Sequence, residues 1–424
     1  MFYDKQPKRQ QEDYKKMLEI VGSLSRLFSN AKQPYLPYRI HENVFAKYFD
    51  VKNNARHDDS ADAYSEAGVG IGLKTWVGQD NQKVAEFGRL RPEYKHLDGL
   101  DLVKKIALYR NKRIKTTMNA HGLKEMLYHI VKRVPHAMRI YEAAFDFIDI
   151  DNIEIDSGRG SANNIYFSDG KHTYHFSKSK NTLYMIFSDM VFLDQFDVEI
   201  YDDPYDILLN LSKSIKKTTG ITTTGITTAT PSEPKEMFFI TPTEIIKENQ
   251  LCLRLYSTRP DGTKYVPDKS GLNQWNGART CYKTDKETGE RKLVKVVQRN
   301  PNELYIPYPA EDRRRKEFFP PKDTPFELRL PNGDIISAKV CQQDSKAIMS
   351  NPNSVLGKWL LRDVFELEEG TPVTYEMLRE CNIDSVMFTK EENGSYSVDF
   401  SVLGTYEKCY NLEDIEAEND SVED

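Results

Sequence analysis

Apolar positions recur at helical spacing over residues 11–30, where Met17, Leu18, Val21, Leu24, Leu27 and Phe28 fall on one face, and the same spacing predicts helices over 100–107, 123–131 and 141–147. Between them lie runs that read as strands: GVGIGLKTWV (68–77), FIDIDNIEI (147–155), NNIYFSDGKHTYHF (163–176) and TLYMIFS (182–188). Helices flanking a small sheet imply an α/β or α+β amino-terminal domain. Beyond residue 235 the texture changes to short alternating runs, LCLRLYS, ELYIPYP, FELRLPNGDIISAKVC and SVMFTKEENGSYSVDFSVLG, punctuated by hairpin signals at Pro331-Asn332-Gly333 and Asn393-Gly394. With helices only at 355–365 and 375–379, this half predicts a mostly β, barrel-like domain.

The stretch 216–234, KKTTGITTTGITTATPSEP, is rich in Thr, Gly and Pro and reads as a linker. The expected division is therefore 1–215, linker 216–234, domain 235–411 and an acidic tail 412–424, an α+β multidomain chain. With 424 residues, 39% hydrophobic and 11% aromatic, it can bury substantial cores, which excludes a peptide factor or a disordered chain. The formal charge of −6 is concentrated in the tail, where seven carboxylates follow residue 412; the remainder is about neutral. Local basic runs then carry the electrostatic argument: Lys112-Arg113-Ile114-Lys115, Lys132-Arg133 and Arg313-Arg314-Arg315-Lys316. Five scattered cysteines without a CxxC pair argue against disulfides and structural zinc, and no histidines stand at metal-ligand spacing. The start is charged and no apolar run approaches membrane-spanning length, so the expectation is a cytoplasmic protein with no membrane partner.

Asn, Gln, Arg, Lys and Trp concentrate in loops of the second half: KSGLNQWN, RNPN and SNPN. Asn and Gln pair with adenine edges and Arg or Lys with guanine, while the basic run before FFPP suits phosphate; Asn-rich loops also simply close turns. In order along residues 238–410, KSGLNQWN, RNPNELYIPYP, FFPPKDTPFELRLPNGDIISAKVCQQDSKAIMSNPNSVLGKWLLRDVF and NIDSVMF resemble the DNA-recognition domain of NgoFVII-type restriction endonucleases. The resemblance implies a B-three-like pseudobarrel gripping the major groove with two arms. Here those arms fall at 270–279 (Asn273, Gln274, Trp275, Asn276, Arg279) and 346–358 (Ser350, Asn351, Asn353, Lys358), with Arg313, Arg314, Arg315 and Lys316 on phosphates. Trp275 and Trp359 are equally suited to the core.

Such a reader needs a cutting partner. A phospholipase-D-like centre requires His-x-Lys, and His121 and His175 each precede a lysine by one position too many. Residues 42–77 instead resemble the PD-(D/E)xK nuclease pattern, with Asp62 twelve positions before Lys74 on the strand-like GVGIGLKTWV, and Gly72 where the second acid normally stands. A carboxylate pair holding Mg²⁺ and a lysine near the attacked phosphate is what this chemistry needs. The second ligand is left open among Glu86, Asp58 or Asp59, and Glu42, and Lys178 and Lys180 of the second hairpin are candidates for the DNA backbone.

The expectation is a Mg²⁺-dependent, sequence-specific duplex-DNA endonuclease of the type II restriction class, with a cognate methyltransferase implied at system level and a homodimer left open. A recognition subunit without catalysis, which Gly72 permits, and a modification-dependent nuclease are the rival readings.

Overall fold

The computed structural model describes residues 1–54, 59–210, 246–284 and 291–412, with side chains omitted at 279–284 and 291–295. The Thr-rich stretch at 216–234, Asp58, the acidic tail from 413 and the Arg279 side chain lie outside the described residues.

The amino-terminal part runs α1 (Lys8–Ser23), α2 (Tyr38–Phe49), β1 (Lys52–Asn53), β2 (Ala63–Tyr64), β3 (Val69–Val77), β4 (Asn81–Glu86), α3 (Arg91–Tyr94), α4 (Gly99–His121), β5 (Glu125–Val134), β6 (Ala137–Ala144), β7 (Glu154–Ile155), β8 (Asn164–Ser168), β9 (Thr173–Ser177), β10 (Thr182–Ile186) and β11 (Val191–Asp197). Its main sheet has the order β1-β2-β3-β5-β6-β11, antiparallel except for the parallel pair β3/β5 that α4 connects. A second antiparallel sheet has the order β4-β10-β9-β8-β7.

Alternation along the main sheet divides its side chains between two cores. Ile71, Leu73, Val131, Met138 and Ile140 pack towards α1 and α2, with Tyr14, Leu18 and Phe45. Trp76, Tyr128, Ile130 and Ala143 pack on the opposite face with α4 residues Val103 and Ile106 and the second sheet's Phe167 and Phe176. The main sheet is thus a middle layer buried on both faces.

That layering corrects two sequence expectations. Residues 123–131 carry Leu123, Met126, Leu127, Ile130 and Val131 at helical spacing, yet 125–134 form β5, and most of 141–147 belongs to or follows β6. A strand covered on both sides reads as a continuous apolar run and loses the period-two signal that separates strand from helix. The run at 147–155 contributes only β7 after a short 3₁₀ turn.

The carboxy-terminal part contains β12 (Gln250–Arg254), the hairpin β13 (Ser257–Thr258) and β14 (Lys264–Tyr265), the ribbon β15 (Ala278–Thr284) and β16 (Arg291–Gln298), then β17 (Ile306–Pro307), β18 (Pro325–Arg329), β19 (Ile335–Cys341), β20 (Ala347–Ser350), β21 (Ser385–Lys390) and β22 (Tyr396–Ser401). Seven of these strands curl into one sheet of order β12-β21-β22-β18-β19-β20-β17, whose outermost members β12 and β17 approach each other. The result is a nearly closed, barrel-like sheet around Leu253, Leu328, Ala338, Ile348, Phe388 and Phe400. At the Pro331–Asp334 turn, Gly333 adopts φ 91°, a conformation that side chains disfavour, which explains the Asn-Gly signal. A helix at Val355–Gly357 continues with π-type winding over Lys358–Val364 and sets Trp359 in the core, its ring stacked 5.4 Å from Phe400.

Helix α4 joins the two parts. Lys112 pairs with Glu380 at 2.5 Å, Lys115 with Glu366 at 3.0 Å, and Asn119 Nδ2 donates to the Val364 carbonyl at 3.2 Å. Arg379 pairs with Glu93 at 2.6 Å and also donates to the Arg89 carbonyl. No described helix is long and apolar enough to cross a membrane.

Candidate functional site

Asp62 lies just before β2 and is registered onto β3 by its backbone: its N–H donates to the Ile71 carbonyl at 2.9 Å, and its Oδ2 accepts the Leu73 N–H at 2.7 Å. Lys74 follows one residue later, on the β3 face opposite Leu73. Glu42 comes from α2, 6% exposed, with Arg39 at 3.2 Å. These groups act on one another electrostatically. Burial, then the Asp62 charge, raises the Glu42 pKa from 4.5 to about 7, with Arg39 and Lys74 opposing. Burial lowers the Lys74 pKa, against the pull of Asp62 and Glu42, while Arg110 and Lys83 push it down further. Glu42, Asp62 and Lys74 thus lie near enough for their charges to act on one another.

Position 72 is closed. A Cβ on Gly72 would stand 2.8 and 2.9 Å from Tyr128 ring carbons and 3.0 Å from Phe145 Cε1. Those rings stack at 4.1 Å, and Arg110, 3% exposed on α4, donates to the Tyr128 hydroxyl at 3.0 Å. An aromatic pair and a guanidinium thus occupy the side of the strand where an acid two residues before the lysine would point. Arg110 and Tyr128 escaped sequence reasoning because α4 and β5 bring them in from distant positions and neither belongs to a local motif.

Lys74 borders a cleft of about 370 Å³ between the two parts, lined also by Asp59, Lys83, Glu86, Arg113, Thr117 and Asn382. Glu86 is exposed and paired with Lys83 at 2.5 Å. Asp59 Oδ2 is held by His121 Nε2 at 2.8 Å and Asn54 Nδ2 at 2.7 Å, so its carboxylate is engaged at the seam between the two parts. Lys178 pairs with Asp98 at the start of α4, 3.0 Å away, and Lys180 is exposed on the same hairpin.

On the reading side, several expected base contacts face inward. Asn273 is 0% exposed; its amide donates to the Pro267 and Val373 carbonyls and its oxygen accepts the Val373 N–H. Gln274 is buried between Glu303 and Gln342, Trp275 belongs to the core, and Ser350 Oγ bridges Pro352 and Leu356. Asn273, Gln274 and Ser350 thus brace the loops with internal hydrogen bonds instead of presenting donors to a ligand, while Trp275 packs its ring in the core. Asn276, Asn351, Asn353 and Lys358 are exposed. Within the basic run, Arg313 donates to the Tyr308 carbonyl, and Arg314 and Arg315 are exposed, the latter lying 4.0 Å over the Tyr410 ring. Lys316 lies 5.6 Å over the Phe318 ring.

No curated protein matches the chain. Residues 250–392, which hold the curled sheet from β12 through β21 together with the Asn-rich loops, match the protein-family model of the NgoFVII C-terminal B3-like DNA-binding domain, so this part of the chain is similar to a DNA-binding domain of restriction enzymes.

Proposed function

We propose that the protein is a sequence-specific double-stranded DNA endonuclease of a restriction system, reading DNA with its carboxy-terminal part and hydrolysing phosphodiesters with Mg²⁺ at Glu42, Asp62 and Lys74. The observation that carries this reading is the electrostatic coupling of two carboxylates and a lysine beside a part similar to a DNA-binding domain. The Glu42 and Asp62 carboxylates, one with its pKa raised by burial and by the other's charge, would offer an all-oxygen donor set that suits a hard cation. Mg²⁺ held by Glu42 and Asp62 would supply Lewis acidity at the scissile phosphate. The Leu73 N–H fixes the Asp62 carboxylate, and the Lys74 ammonium orients a water and offsets charge on the phosphate oxygens. The Asp62 and Glu42 charges favour the Lys74 ammonium against its burial, and Arg113 and Lys83 line the approach for a phosphate.

A second reading is favoured by the closed position 72: a recognition subunit that binds DNA without cutting. Incubating long unmodified and methylated DNA with the wild type and with Lys74→Ala, with and without Mg²⁺, separates the two. Discrete fragments that require both metal and Lys74 support the nuclease. Specific binding without cleavage under any metal overturns it in favour of the subunit.

A further inference from the structure

The seam between the two parts contains a second cluster of metal-ligating side chains, away from Glu42 and Asp62. Asp59 precedes β2, His121 ends α4, and Asp399 sits on β22 between the core residues Val398 and Phe400. One ligand atom from each lies within 4.8 Å of the other two. The His121 side chain is 0% exposed, Asp59 10% and Asp399 13%.

The surroundings are prepared beyond those three residues. Asn54 Nδ2 holds Asp59 Oδ2 at 2.7 Å, and the Ser60 N–H donates to Thr117 Oγ1 at 3.2 Å, tying this loop to α4. The Tyr64 ring lies 4.5 Å from the His121 ring. Three buried polar atoms at this spot have no hydrogen-bond partner among the described residues: His121 Nδ1, Asn54 Oδ1 and the Tyr64 hydroxyl. These residues are 6%, 1% and 7% exposed, and the Asp399 and Asp59 charges both act on the Tyr64 hydroxyl. Buried orphans are rare in folded proteins and point to an absent partner.

We propose that Asp59, His121 and Asp399 form a binding site for one borderline divalent transition-metal ion, of the Zn²⁺ or Co²⁺ class, that ties the amino-terminal and carboxy-terminal parts together. An imidazole nitrogen with two carboxylate oxygens suits Zn²⁺, Co²⁺ or Mn²⁺ and disfavours Mg²⁺, which prefers oxygen and its own waters. Bonds of about 2.1 Å around a tetrahedral ion place ligands about 3.4 Å apart, so the His121–Asp59 hydrogen bond at 2.8 Å gives way to the ion, in a cluster no wider than 4.8 Å. The Lys52 ammonium, 3.5 Å from Asp399 and on a side chain 56% exposed, supplies the counter-charge without metal and swings to solvent when the ion enters. The Tyr64 hydroxyl or a water completes the coordination. No local spacing announces the site, because its ligands come from three distant segments that meet only when the two parts dock.

The inference does not rest on nuclease activity. The full-length protein, stripped with a chelator and dialysed, is titrated with Co²⁺, following the visible d–d absorption and the bound stoichiometry, and its thermal midpoint is measured with and without Zn²⁺. The expected result is about one equivalent of Co²⁺ and a Zn²⁺-dependent rise in midpoint, with affinity at least about 10-fold weaker in His121→Gln and in Asp399→Asn. Both should persist in a Glu42→Gln/Asp62→Asn variant. Asp399→Asn, on a partly exposed side chain, decides the matter if His121→Gln does not fold. Equal Co²⁺ binding in wild type and Asp399→Asn overturns the proposal, as does binding that is lost in Glu42→Gln/Asp62→Asn but kept in Asp399→Asn.

Discussion

Gly72 offers the sharpest test of the packing argument, because adding a single methyl probes whether the missing acid is excluded by space. In Gly72→Ala the new carbon meets three ring carbons at 2.8, 2.9 and 3.0 Å, where carbon pairs prefer about 3.5–4.0 Å. The rings have little room to retreat: Tyr128 is stacked on Phe145, lies edge-on to Phe187 at 5.0 Å, and its hydroxyl is held by Arg110. Overpacking of this kind costs about 1–3 kcal/mol, which for a part of this size lowers the thermal midpoint by about 2–12 °C. Chemical denaturation followed by tryptophan fluorescence reports it, since Trp76 lies on the same strand. In a Tyr128→Leu background, which removes the obstructing ring, the same substitution should cost less than half as much, a non-additivity that a double-mutant cycle reads directly. A Gly72→Ala variant as stable as wild type, or effects that simply add, would refute the closure. Gly72→Glu should likewise fail to increase any Mg²⁺-dependent cleavage, because its carboxylate has nowhere to enter.

Three further outcomes follow from the geometry. Because the Glu42 pKa is raised from 4.5 to about 7 in the folded state, its contribution to stability is fully present below about pH 4.5 and is lost as pH rises through about 7; thermal midpoints measured across that window should fall with pH in wild type and lose this component in Glu42→Gln. Asn273→Ala should cost about 1–3 kcal/mol of stability by leaving the buried Val373 N–H unpaired, whereas exposed Asn276→Ala or Asn353→Ala should leave stability unchanged and relax base preference by about 1–3 kcal/mol, as denaturation and competition binding would reveal. Arg314→Ala should reduce the slope of log affinity against log salt by about 0.9 with little effect on folding, while Arg315→Ala, which strips a cation from the Tyr410 ring, should also destabilise the barrel.

What the sequence makes legible depends on how locally each feature is encoded. The β3 run and the Asn-Gly turns are legible because their signals are complete within a few residues. So is the nearness of Asp62 to the strand that carries Lys74, since a short reversal of the chain lets its carboxylate accept the Leu73 N–H. β5 reads as a helix because its alternate side chains enter two different apolar cores, which erases the polar face that marks a strand. Glu42 and Glu86 stand among several candidates in the sequence; the packing of α2 buries the first, while the second is exposed beside Lys83 on the rim of the cleft. Asn273 and Ser350 have the composition of base readers and the burial of braces, and composition carries no information about which way a side chain faces. Arg110, Tyr128 and His121 depend on contacts between distant segments and leave no trace in any short window.

Helix α4 has a consequence for how such a chain can change. Arg110, Arg113, Thr117 and His121 recur every three or four positions and form one stripe that serves the lysine cluster, the cleft and the seam. Lys112, Lys115 and Asn119 form a neighbouring stripe, which grips the carboxy-terminal part. A single inserted residue turns everything beyond it by about 100° and parts the two stripes from each other. The exposed loops at 276 and 351–353 carry no such constraint. Natural variation in a lineage of such proteins should therefore accumulate as insertions and replacements in those loops, shifting which DNA is bound, while the length of this one helix stays fixed.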